Sequence, residues 1–160
     1  MRDRSWNTWL FQRVSAKSLL KHYLPISGVA SHGLFTVHLF SPAILNSMCK
    51  EWSNVAQKSL LASSLIGSGI YIFFRPHLHR VSNWQRVEYS VFAASMHNFG
   101  SLLFSIFIKR FIPSSLPTAI KTVLALSVSA FLTSRSLKYL HHIDDRSLFV
   151  KDFNFEHMDE

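Results

Sequence analysis

Between Lys58 and Arg135 the chain alternates charge-free apolar stretches with short basic loops. Tyr89 to Ile108 is 20 residues without a charge. As a helix rising about 1.5 Å per residue it would be roughly 30 Å long, the thickness of a bilayer's hydrocarbon layer. Ser59 to Phe74 adds 16 uncharged residues and reaches spanning length if its helix begins near Trp52, with the Lys58 stem reaching back to the headgroups. A third stretch runs from Pro117, suited to a first helical turn, to Ser134, with Lys121 one turn in and Arg135 and Lys138 at the far end. This pattern predicts an all-α integral membrane helical bundle with three transmembrane helices, at about 54–74, 88–109 and 117–140.

A fourth candidate, Tyr23 to Cys49, is also charge-free over 27 residues, but it contains Ser27, Gly28, Ser31, His32, Gly33, His38, Ser41, Pro42, Asn46 and Ser47. Breakers at both ends and two imidazoles are costly against lipid, so the segment is expected not to span or to span weakly, with four helices as the alternative. The expected organisation is a basic amphipathic targeting segment (1–22), this weak segment (23–50), a transmembrane helical anchor domain (51–142) and an acidic tail (143–160). Four spans would divide Lys and Arg 12 to 5 between the two sides, and three would divide them 10 to 7. Both models put the N-terminus on the positive side. The charge count favours four, although the tail from Arg135, with six acids against four bases, counts little in it.

The net charge of +8 does not point to nucleic acid, because the bases sit at the ends of apolar segments and not along one face with stacking aromatics. They read as orientation signals or as contacts to anionic membrane lipid. The lone Cys49 excludes an internal disulfide and a multi-cysteine metal site. No repeat, Gly-rich phosphate loop or nucleophile motif is present. The first 22 residues carry five bases, one acid and three serines, with Trp6, Trp9, Leu10, Phe11 and Val14 near helical spacing. That composition suits a mitochondrial presequence, and equally a retained interfacial helix, which Asp3 and the two tryptophans also fit.

Histidines are the candidate chemistry. His97 lies in the middle of the most apolar stretch, with Ser90, Ala93, Ala94, Ser101 and Phe104 on its face and Gly100 close by. Small neighbours let a flat ring lie against the backbone, as a membrane haem ligand requires. They also let helices approach closely while the histidine hydrogen-bonds a neighbour, so spacing alone leaves both roles open. His77 and His79 supply only two potential metal ligands and read as solvated loop residues. His141 and His142, followed by Asp144 and Asp145, sit where a helix C-terminus favours histidine through its dipole, and no site is assigned to them.

From Trp52 to Leu148, roughly 60% of the chain, the sequence resembles the small cytochrome b (membrane-anchor) subunit of mitochondrial succinate dehydrogenase, in divergent form. The resemblance lies in an ordered set. Trp52 is followed by Ser59, and Tyr89, Ser90, Ala93 and Ala94 lead to His97 and Gly100. Pro117 and Lys121 then precede Tyr139, His142, Asp144 and Asp145. It implies a multi-pass anchor in the mitochondrial inner membrane, partnered by a larger cytochrome b anchor subunit and an iron–sulfur subunit. It also implies His97 as axial ligand to the iron of a haem b shared with the partner. The family's arginine after the opening tryptophan is absent from Ser53 to Gln57, and its Asp-Tyr quinone pair is absent from Ile106 to Arg110. Contact with ubiquinone by this subunit is therefore left without residues. The competing expectation is a small multi-span scaffold or assembly protein with no cofactor, in which every histidine is structural.

Overall fold

The computed structural model describes residues 19–48 and 52–156, so the expected targeting segment lies outside the described residues as far as position 18. A single π-helical turn, Leu19–Tyr23, runs into helix α1, Leu24–Phe40. Helix α1 stops where the Ser41 N–H donates back to the Val37 carbonyl at 2.8 Å and Pro42 has no N–H with which to continue. Short helix α2 is Pro42–Met48, and α3 is Ser53–Phe73. A 3-10 turn, Pro76–Arg80, leads to α4, Asn83–Arg110, and the last helix, α5, is Thr118–Glu156.

The all-α expectation holds, and the bundle has four long helices where the sequence suggested three. Helices α3 and α4 match the stretches expected at 54–74 and 88–109. Helix α4 begins earlier because Ser82 and Gln85 form a capping box that satisfies the first amides. Helix α5 runs on past the span expected at 117–140 into the acidic tail, since no Gly or Pro interrupts Thr118 to Glu156.

The segment expected to be weak supplies the central helix. Helix α1 packs against α3, α4 and α5, most extensively against α3. Its small residues make this possible. A Cβ built on Gly28 would lie 2.8 Å from Gly67 Cα, and one on Gly67 would lie 2.7 Å from the Leu24 carbonyl oxygen. Backbones come this close only where neither helix carries a side chain. One turn on, Ser31 Oγ donates to Ser63 Oγ at 3.1 Å. The pairings run antiparallel from α1 to α3, from α3 to α4 (Ser64 with Asn98) and from α4 to α5 (His97 with Ser136), which gives an up-down-up-down order.

The polarity of this bundle is inverted. Among the described residues ten polar side chains are buried against seven apolar ones, and Thr36, Asn98 and Ser105 are sealed completely. Meanwhile Leu103 is 72%, Phe92 64% and Phe107 59% exposed on the outer face of α4. By length and composition Asn83–Arg110 is the one helix among the described residues that is long and apolar enough to cross a membrane.

Candidate functional site

The most polar part of the interior is a histidine pair. His32, from α1, is 3% exposed and has both ring nitrogens bonded: Nδ1 lies 2.7 Å from Ser129 Oγ on α5, and Nε2 lies 2.7 Å from Ser101 Oγ on α4. Ser101 Oγ donates to the Asn98 carbonyl at 2.8 Å. With its one proton engaged there, Ser101 accepts from His32 Nε2–H, and Nδ1 accepts from Ser129. The neutral ring thereby ties three helices together with every polar atom satisfied.

His97, from α4, stacks on His32 with ring centroids 5.5 Å apart and planes 27° apart. Its Nδ1 is bonded to Ser136 Oγ of α5 at 2.8 Å. Among the described residues nothing bonds its Nε2, which is also absent from the sealed polar atoms that lack a partner. One nitrogen held by a neighbour and the other available is the state a metal-binding imidazole adopts, so His97 fits the role of a single axial ligand. His32 does not fit as the second. An imidazole ligates through a lone pair in the plane of its ring, and two stacked rings direct those lone pairs side by side rather than toward one iron between them. His32 would therefore not supply the other ligand of a haem at His97.

A second polar cluster adjoins the pair. Asn98 accepts from Ser64 Oγ at 2.5 Å and donates to Ser68 Oγ and to the Ala94 carbonyl, both at 2.8 Å. Together these bonds join α3 to α4 through a fully buried amide.

At one end of the bundle the loop after α3 is clamped to α5. Asp144, 5% exposed, accepts from His77 Nδ1 at 2.5 Å and pairs with Arg75 Nε at 3.3 Å. The Arg75 guanidinium also lies over the Tyr71 ring, 4.7 Å from its centroid. Arg80 donates to the Ser147 carbonyl, and Arg86 donates to the Phe73 carbonyl at 2.6 Å. His77, expected to be a solvated loop residue, is thus part of a structural clamp. His141 and His142 remain exposed, and no group of three or more metal-ligating side chains occurs among the described residues.

Sequence reasoning singled out His97 and missed its neighbour His32. The available signal was the run of small or hydroxyl-bearing residues at helical spacing around it: Gly28, Ser31, Gly33 and Thr36. Against lipid Gly28, Ser31 and Gly33 weaken the segment, whereas together with Thr36 they form the packing face of a central helix.

The fold and site define an all-helical bundle with a polar, histidine-bearing interior and an apolar exterior. No family model, curated protein or solved structure matches the chain.

Proposed function

We propose that the chain is a multi-span membrane anchor, with α1, α3, α4 and the first half of α5 crossing the bilayer. The observation that carries this reading is the inverted polarity, because water would not leave Leu103, Phe92 and Phe107 uncovered while serines and an asparagine fill the interior. Trp52 and Trp84, 68% and 77% exposed at opposite ends of the bundle, stand where interfacial aromatics belong. At 17 residues α1 is short but within the spanning range, at about 26 Å; its Gly28, His32, Gly33 and Thr36 are buried while Ile26, Val29 and Leu34 face outward.

The finer proposal follows the resemblance. The chain would be the small anchor subunit of a respiratory succinate:quinone oxidoreductase in the mitochondrial inner membrane, with His97 giving one axial ligand to a haem b shared with a larger anchor subunit. The state of the His97 ring supports it, with Nδ1 fixed by Ser136 and Nε2 available. A haem b carries single electrons, its potential tuned by axial ligands and their hydrogen bonds. The part of this chain is to hold the ring, Ser136 setting its rotation and His32 backing its face. No residue is proposed for ubiquinone.

A scaffold or assembly role without cofactor is favoured by a different observation: the bonds of His32 to Ser101 and Ser129 close the interior within this one chain. The reduced optical spectrum of the protein, purified with its co-purifying subunits, separates the two. A b-type band in the wild type that falls or shifts in His97→Gln, with the variant still inserted, supports ligation; His38→Gln and His142→Gln should leave it unchanged. No band with all partners present, or an unchanged band in the His97 variant, removes the ligand role and leaves the packing one.

A further inference from the structure

We propose that the cavity at the α4–α5 turn is a headgroup site for an anionic phospholipid, with Lys109 and Lys121 holding its phosphate; this rests on the membrane-anchor reading above. The cavity has a volume of about 180 Å³ and is lined by Phe40, Lys109, Ile112, Pro113, Ser114 and Lys121. That is small for a whole organic ligand, which takes roughly 300 Å³ or more, and suited to one compact group. Its lining combines the apolar Phe40, Ile112 and Pro113 with the two lysines.

Each amine is tethered by a backbone carbonyl. Lys109 Nζ donates to the Leu39 carbonyl at 2.5 Å, and Lys121 Nζ donates to the Ser114 carbonyl at 2.8 Å. An ammonium has three N–H donors, so each lysine keeps two for a ligand. Among the described residues no carboxylate pairs with either amine; the ion pairs there are those of Arg75 and His77 with Asp144, a residue near the C-terminal end of α5, far from Lys121. Two tethered, uncompensated cations on a small cavity call for a compact anion.

The position of the cavity selects the source of that anion. It lies just beyond the 20-residue uncharged run of α4, at the level where lipid phosphates sit. Phe107 and Phe111, packed edge-to-face with centroids 5.0 Å apart and both exposed, occupy the end of α4 leading to it and offer an apolar wall for acyl chains. A free phosphate would use the amines only; a phospholipid uses both.

The test uses the full chain reconstituted in vesicles of phosphatidylcholine with an equal mole fraction of phosphatidylglycerol, then extracted in mild detergent for native mass spectrometry. Resistance to alkaline carbonate extraction is checked first. Release by carbonate overturns the anchor reading, and the site with it. For an inserted protein, preferential retention of one phosphatidylglycerol, reduced about five-fold for each lysine removed in Lys109→Gln and Lys121→Gln and unchanged in Lys138→Gln at the opposite end, supports the site. Equal retention of the two lipids, or loss of preference in Lys138→Gln alone, overturns it while leaving the anchor reading standing. Displacement of the lipid by millimolar inorganic phosphate would assign the site to free phosphate and overturn the lipid as its occupant.

Discussion

Replacing Gly67 by alanine tests the helix crossing on which the bundle depends. The added methyl would lie 2.6 Å from Gly28 Cα and 2.7 Å from the Leu24 carbonyl oxygen. Carbon atoms pack best at about 3.5–4.0 Å, so α1 and α3 must part by roughly 1 Å. Both obstructing atoms are backbone, and no side-chain rotation relieves the clash. Overpacking of this kind costs about 1–3 kcal/mol. Parting the helices also stretches the 3.1 Å Ser31–Ser63 bond, and an interhelical bond in a membrane protein is worth about 0.6 kcal/mol. Alanine in place of glycine returns about 1 kcal/mol of helix propensity, leaving a net loss of about 1–2 kcal/mol once the overpacking and the lost bond are counted. Gly100 is the internal control. Nothing lies within 4 Å of its added Cβ, so Gly100→Ala should keep the propensity gain and stabilise by up to about 1 kcal/mol. Reversible unfolding in mixed micelles, followed by circular dichroism, should separate the two variants by about 2–3 kcal/mol. A Gly67→Ala protein as stable as Gly100→Ala would refute the close crossing and with it the central position of α1.

Other outcomes follow from the same contacts. His32→Phe fills the space of the ring but leaves Ser101 and Ser129 without it, and unfolding should show a loss of about 1–2 kcal/mol. Asp144→Asn keeps the size of the side chain and removes the counter-charge of the half-buried Arg75, which should cost about 3 kcal/mol and raise proteolysis in the 75–86 loop. On the four-crossing proposal both termini lie on one side of the membrane, so protease should reach tags at the two ends together; protection of only one would restore three crossings.

The elements at 53–73 and 83–110 were legible because each contains a long charge-free run, 59–74 and 89–108, flanked by charged residues, and a run of that length has one regular way to satisfy its backbone in an apolar medium. That α5 runs on through the acidic tail was not legible in the charge pattern, because charge alone does not stop a helix that meets no Gly or Pro. His97 was visible from its small neighbours, but its bond to Ser136, 39 residues away, was not. The role of Asp144 was hidden in the same way, since its partners Arg75 and His77 lie in a different loop.

By itself the sequence determined the helical class and the apolar, charge-bounded character of the longest segments, since these rest on local periodicity and on the cost of unpaired backbone in an apolar medium. Only the tertiary structure decided the place of Leu24–Phe40. A serine, glycine or histidine is a liability on a face turned to lipid and an asset on a face turned to another helix, where Gly28 admits Gly67 and His32 reaches both Ser101 and Ser129. Which face a residue occupies depends on neighbours up to 97 positions distant, and no local pattern carries that information.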